Sequence, residues 1–235
     1  MKPSFLLSSK AGKVFMVVCL SVIVLVASCG KKYDPVPEPV GDAKIRFVNA
    51  LHGSAAQDFY VNGTKKSTTP LAYGATSENL TITSGQNAFN LNDAGSTVVN
   101  ASIQGNVSIG DRFTFLYFKH PEGKLVLAPV PDVASNPVAG KANVRFINLN
   151  TTLNSQLTVH TVGVVSPTIP SLGAQAISDF FPVDAGTKFS FSATGWLTAT
   201  DYDGAIVAGK TYTIWIDGNT DPANKQLIGH IFEQN

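Results

Sequence analysis

The sequence predicts an all-β protein built as two tandem immunoglobulin-like antiparallel β-sandwich domains, and three observations lead there. Thr, Ser, Asn, Gly, Val and Phe dominate beyond Asp42 while strong helix formers are scarce, a composition that suits short pleated segments joined by tight turns. Runs of alternating polarity recur at about seven per hundred residues, the density of a sandwich. The chain also repeats itself. Ala43-Lys44-Ile45-Arg46-Phe47-Val48-Asn49 returns as Ala142-Asn143-Val144-Arg145-Phe146-Ile147-Asn148, and Gly110-Asp111-Arg112-Phe113-Thr114-Phe115 returns as Gly209-Lys210-Thr211-Tyr212-Thr213-Ile214, each with an offset of 99 residues. Agreement in order and spacing marks two copies of one unit.

Before the repeats comes a leader. Lys2, Lys10 and Lys13 precede an apolar run from Val14 to Ala27, and the small residues Ala27 and Ser28 stand just before Cys29. This is the three-part pattern of an export signal peptide, assigned to 1–28. At about 1.5 Å per residue the run makes about 21 Å of helix, short of a hydrocarbon core of about 30 Å. The segment therefore reads as a cleaved peptide.

The chain's two cysteines are Cys19 and Cys29, and the first lies inside the segment to be removed. No disulfide within the mature chain follows. Val26-Ala27-Ser28-Cys29 resembles the bacterial lipobox, which implies that Cys29 carries a diacylglycerol and an acyl chain such as palmitate, and becomes the new N-terminus. Several acyl chains on one residue anchor stably, because each buried methylene contributes about 0.8 kcal/mol. Gly30, not aspartate, follows Cys29. By resemblance to the sorting rule of enteric bacteria, that implies an outer-membrane lipoprotein, facing either the periplasm or the cell surface.

Residues 29–42 form the tether. Pro35, Pro37 and Pro39 at alternate positions hold the chain extended, so Gly30 to Gly41 reaches at most about 37 Å at about 3.1 Å per residue. The first repeat occupies 43–132, with strands expected near 43–49, 57–62, 78–83, 87–91, 97–104, 111–119 and 124–130. A linker at 133–141, marked by Asn136-Pro137 and Ala139-Gly140, leads to the second repeat at 142–235. Its strands are expected near 142–149, 156–162, 176–183, 187–193, 196–201, 210–217 and 226–233. Asn62-Gly63, Asp203-Gly204 and Asp217-Gly218 supply turns that need positive φ angles. One barrel shared by both copies is the alternative arrangement.

Ile45-Arg46-Phe47-Val48-Asn49-Ala50, Asp58-Phe59-Tyr60-Val61-Asn62-Gly63 and the Gly-x-x-Tyr/Phe-Thr strands at 110–114 and 209–213 resemble the domain-of-unknown-function family numbered 4397. The resemblance spans most of 43–132 and is weaker over 142–235. The family usually has histidine where Asn49 and Asn148 stand, and the second copy has Leu157-Thr158-Val159-His160 in place of the Asp-x-Tyr-x-x-Gly core. The resemblance implies a secreted or lipid-anchored bacterial β domain with no assigned activity.

Charge excludes one class of partner. Taking the three leader lysines from the 17 basic side chains leaves 14 against 16 acidic ones, and a mature chain so near neutrality has no electrostatic footprint for nucleic acid. Chemistry is equally unsignalled. His52, His120, His160 and His230 are scattered, with neither His-Glu-x-x-His nor a cysteine pair. Gly-x-Ser-x-Gly is absent, as is a phosphate loop opening a helix. Asp217-Gly218-Asn219-Thr220-Asp221 imitates the first half of a calcium loop, but Pro222 and Ile228 stand where its glycine and closing glutamate belong. No cofactor, metal or catalytic residue is assigned, and the chain is not expected to be an enzyme; a hydrolase would need carboxylates paired across a cleft.

Alternation along 111–118 sends Phe113, Phe115 and Tyr117 to one face and Leu116 and Phe118 to the other; in the second copy Tyr212, Ile214 and Ile216 oppose Trp215. The second faces either pack on another part of the chain or offer a ligand platform. The function expected is a lipid-anchored envelope protein, structural, adhesive or protein-binding. A glycan-binding accessory lipoprotein of a polysaccharide-uptake system is the alternative, with Trp215, Trp196 and Tyr202 as its candidate stacking surface.

Overall fold

Along β1 (Asp42–Asn49), Ala43, Ile45 and Phe47 point one way and Arg46 and Val48 the other, yet all five are buried. A strand buried on both faces must lie in an inner layer. The computed structural model describes residues 39–132, 136–151, 153, 156–196, 201–218 and 225–234. The leader, Cys29 and the tether up to residue 38 lie outside them, as does most of the expected strand 196–201.

Every regular element described is a strand. After β1 come β2 (Gln57–Val61), β3 (Thr64–Lys65), β4 (Leu80–Thr83), β5 (Gly85–Asp93), β6 (Val99–Val107), β7 (Arg112–Lys119) and β8 (Leu125–Pro131). The second set is β9 (Lys141–Asn148), β10 (Leu157–Thr161), β11 (Ile169–Leu172), β12 (Phe181–Asp184), β13 (Phe189–Ser192), β14 (Asp201–Tyr202), β15 (Thr211–Gly218) and β16 (Leu227–Gln234). Their sheets are ordered β4-β1-β7-β8 and β3-β2-β5-β6, then β12-β9-β15-β16 and β11-β10-β13-β14. The second pair repeats the first strand for strand.

Each pair of sheets closes on its own core. Phe47 stacks on Phe59 at 4.4 Å and on Phe115 at 5.3 Å, and Phe146 meets Phe189 edge-on at 4.9 Å. The two cores are separate clusters, which corrects the shared-barrel alternative: the inward rings of each copy already fill the space between its own sheets.

Three differences from the sequence reading have physical causes. Among the described residues each copy has eight strands, because the short β3 and β11 add an edge that alternation over two to four residues does not reveal. The sheets are not wholly antiparallel: β1 runs parallel to β7 and β9 to β15. Parallel pairing favours strands covered on both faces, and β15 is buried at every position. Asn62 and Gly63 take the expected positive φ angles of 50° and 75°, but Asp217-Gly218 continues β15, and beside Asp203-Gly204 the positive φ falls on Ala205.

Candidate functional site

The outward faces of the two inner sheets meet each other. Val48, Leu116, Phe118 and Val130 from the first copy pack with Ile147, Trp215 and Phe232 from the second in a third buried cluster. The order of layers is therefore sandwich against sandwich, with β1, β7 and β8 facing β9, β15 and β16. Burying these side chains at about 25 cal/mol per Å² of apolar surface is the main force holding the copies together.

Trp215 stands at one end of this junction, 1% exposed. Its register partner on β16 is His230, and the two rings stack with centroids 3.8 Å apart and planes 7° from parallel. Tyr73, from the segment between β3 and β4, lies edge-on to both rings. Its hydroxyl donates to Asp217 Oδ2 over 2.6 Å and sits 3.0 Å from His230 Nε2. With the phenol proton directed at Asp217, Nε2 is left to donate to the phenol oxygen. Burial, reinforced by the Asp217 carboxylate, holds the Tyr73 pKa above the ordinary tyrosine range. The phenol therefore stays a donor at neutral pH.

At the other end two arginines reach across. Arg46 Nε donates to Thr114 Oγ1 and Arg145 Nε to Thr213 Oγ1, both pairs 68 residues apart in sequence. Arg46 then donates to the Glu233 carbonyl and lies 4.7 Å over the Phe232 ring; Arg145 donates to the Pro131 carbonyl. Each copy thus sends its arginine to the last strand of the other. Burial pulls both guanidinium pKa values below the arginine norm, and Asp132, 3.4 Å from Arg46, opposes that pull. A buried charge needs such a partner.

The three sequence-selected aromatics are placed apart. Trp215 is sealed in the junction, so it offers no free ring face. Trp196 is half-buried against the second core, and a Cβ on Gly218 would collide with its ring and with Asn150. Tyr202 lies over Gly229, where a Cβ would come within 2.9 Å of the ring, and beside Phe191 at 5.7 Å. Glycine at 218 and 229 makes the seats for these two rings. Tyr202 also lines an open cleft of about 340 Å³ with Phe191, Asp201, Gln226 and Ile228. The copies share a second cleft, about 150 Å³, at the Trp215 end of the junction, lined by Leu51, His52, Lys119, Leu149, Asn150 and Asp217.

Asp217 is engaged by Tyr73, and Asn219, Thr220 and Asp221 lie outside the described residues. Among the described residues, no three His, Cys, Asp or Glu side chains gather closely enough to hold an ion. Asn49 and Asn148 serve the backbone. Each donates its amide to the carbonyl of Leu71 or Leu172 and accepts the N–H two residues on.

Sequence reasoning missed Tyr73, His230 and Arg46 as junction residues. Arg46 and Arg145 did carry a signal: a charged side chain between core positions at the same place in both copies demands a buried partner.

Residues 43–155 match the family described as a domain of unknown function (DUF4397). No curated protein matches the chain. Among solved structures, a family 26 carbohydrate-binding module from Eubacterium rectale Amy13K, in complex with maltoheptaose, aligns over 83% of this chain and 97% of its own at 14% identity and a TM-score of 0.28. The Bacillus anthracis TIE protein aligns over 79% of this chain at 8% identity and a TM-score of 0.23, and this chain spans 34% of its length. Both scores are too low for either protein's function to bear on this one.

Proposed function

We propose, starting from the DUF4397 domain that the chain carries over residues 43–155, that this is a lipid-anchored protein of the bacterial outer membrane. Its double sandwich acts there as a structural, adhesive or protein-interaction module, without catalysis. The anchor rests on the lipobox Val26-Ala27-Ser28-Cys29 and the proline tether behind it. The observation that carries the module reading is the use made of the outward apolar residues. Leu116, Phe118 and Trp215, which a ligand-binding sheet would display, are buried between the copies.

Membrane fractionation of Cys29→Ser tests the anchor. Release of the protein, or stalled processing of the leader, is the expected result. Full-yield recovery of Cys29→Ser with the outer membrane would contradict it.

One observation favours a glycan-binding accessory role as a second reading: the open cleft beside Tyr202 combines two aromatic rings with Asp201 and Gln226, the mixture of stacking and polar groups that sugars require. A glycan array comparing wild type with Tyr202→Ala decides between the two. Binding that depends on Tyr202 would promote the second reading, and no binding by either protein supports the first.

A further inference from the structure

Strand register shows that both sandwiches present the same end to the same side. Arg46 of β1 meets Glu233 near the end of β16, and Arg145 of β9 meets Pro131 at the end of β8; the end of β8 lies beside the start of β1 across β7, and the end of β16 beside the start of β9 across β15. Asn49, Tyr73 and Asp217 gather at the opposite end. The chain enters the first sandwich through Val40 and Gly41, next to β1, so the entry end is common to both copies.

Large exposed apolar side chains concentrate on that end. Val40 precedes β1, Ile109 sits in the turn before β7, and Val138 in the turn before β9. Val164 and Val165 form the tip beyond β10, whose last residue pairs with the first of β13, and Val207 precedes β15. All six are more than half exposed, Val165 at 96%. Val98, Val99, Leu125 and Ile177, each less exposed than Val165, mark the opposite end. Beside the second copy's valine tips three ion pairs form: Lys141 with Asp184 at 2.6 Å, Lys188 with Asp203 at 3.0 Å, and Lys210 with Glu233.

We infer that this end of the double sandwich is a contact surface for a lipid bilayer, with Val164 and Val165 entering the headgroup boundary. Exposed valines on loop tips gain by leaving water, and mutually paired charges lower the cost of approaching lipid. Isolated, so few side chains would bind weakly. On the reach that the sequence of Gly30 to Gly41 allows, about 37 Å, an anchored chain would make the contact intramolecular at high effective concentration, so weak contacts suffice. The inference rests on the lipid-anchor reading for what brings the surface to the membrane, and on strand register for which surface arrives.

The test uses the full chain with a thiol-attached environment-sensitive fluorophore at Val165→Cys or, as the opposite-end control, Val98→Cys, with wild type treated the same way as the blank for any free thiol at Cys29. Each is reconstituted in phosphatidylethanolamine and phosphatidylglycerol vesicles carrying nitroxide in the acyl chains. Emission at Val165 should fall by about half while emission at Val98 changes by less than about a tenth, and adding Val164→Asp should restore most of the loss. Both positions are largely exposed, so the substitutions leave the core intact. Two unquenched probes, or two equally quenched ones, would overturn the inference. So would a Val165 probe that responds to a soluble envelope extract but not to vesicles, which would mark a protein partner. Fractionation of the same variants reads the anchor separately. Protein that stays on membranes with a dry Val165 probe sinks the contact surface alone; protein that is free of cell membranes yet quenched on vesicles sinks the anchor alone.

Discussion

Tyr73 of the first sandwich donates its hydroxyl proton to Asp217 of the second over 2.6 Å, across 144 residues of chain. The bond ties a loop of one copy to the end of a central strand of the other, under a stacked Trp215–His230 pair. It is a charge-assisted bond in a buried setting, the stronger kind.

Tyr73→Phe keeps the ring and removes the proton that Asp217 accepts. Chemical denaturation should show a loss of about 1–2 kcal/mol, since a buried carboxylate loses its donor. An unchanged midpoint would mean that Asp217 is satisfied without Tyr73.

The duplication and the inner strands were legible because an offset of 99 residues holds in both β1/β9 and β7/β15, whose registers match pair for pair. Alternation alone placed Leu116, Phe118 and Trp215 on a second apolar face that either packs within the chain or serves a ligand, and the structure shows it packed. What covered it was not legible. Tyr73 lies in a segment without periodicity, and its partners are 144 and 157 residues away, beyond any local pattern. Trp196 and Tyr202 looked alike as candidate stacking rings, since the glycines that seat them, Gly218 and Gly229, give no sign in sequence of which ring they receive. The parallel pairing escaped because it depends on which strands become neighbours.

Phe47 and Phe146 occupy equivalent places in the two cores, each with no exposed surface. Phe47→Ala and Phe146→Ala should each cost about 3–5 kcal/mol in denaturant unfolding, the usual cost of truncating a buried aromatic. A loss confined to one of them would mean that the copies are not equivalent in packing.

Asp58 is buried on β2. Desolvation pushes its pKa up, but Lys65 at 2.8 Å, the Gly95 N–H and the Ser67 hydroxyl outweigh it and hold the value below the aspartate norm. The unfolded chain therefore takes up this proton first as pH falls. The stabilisation is complete above the ordinary aspartate pKa of about 3.9 and is lost as pH drops toward the folded value. Asp58→Asn should be less stable than wild type at neutral pH, with the gap closing below about pH 4. A gap independent of pH would show that Asp58 acts through packing alone.

The central claim is that the outward aromatic face joins the two sandwiches and is not held out to a ligand. Trp215→Ala tests it most directly, by thermal unfolding followed in parallel with binding to a glycan array and to whole cells. A lowered melting temperature, with a loss of about 3–5 kcal/mol as for other buried aromatics, is the predicted result. Stability within about 0.5 kcal/mol of wild type, as for an exposed position, together with lost binding, would contradict it.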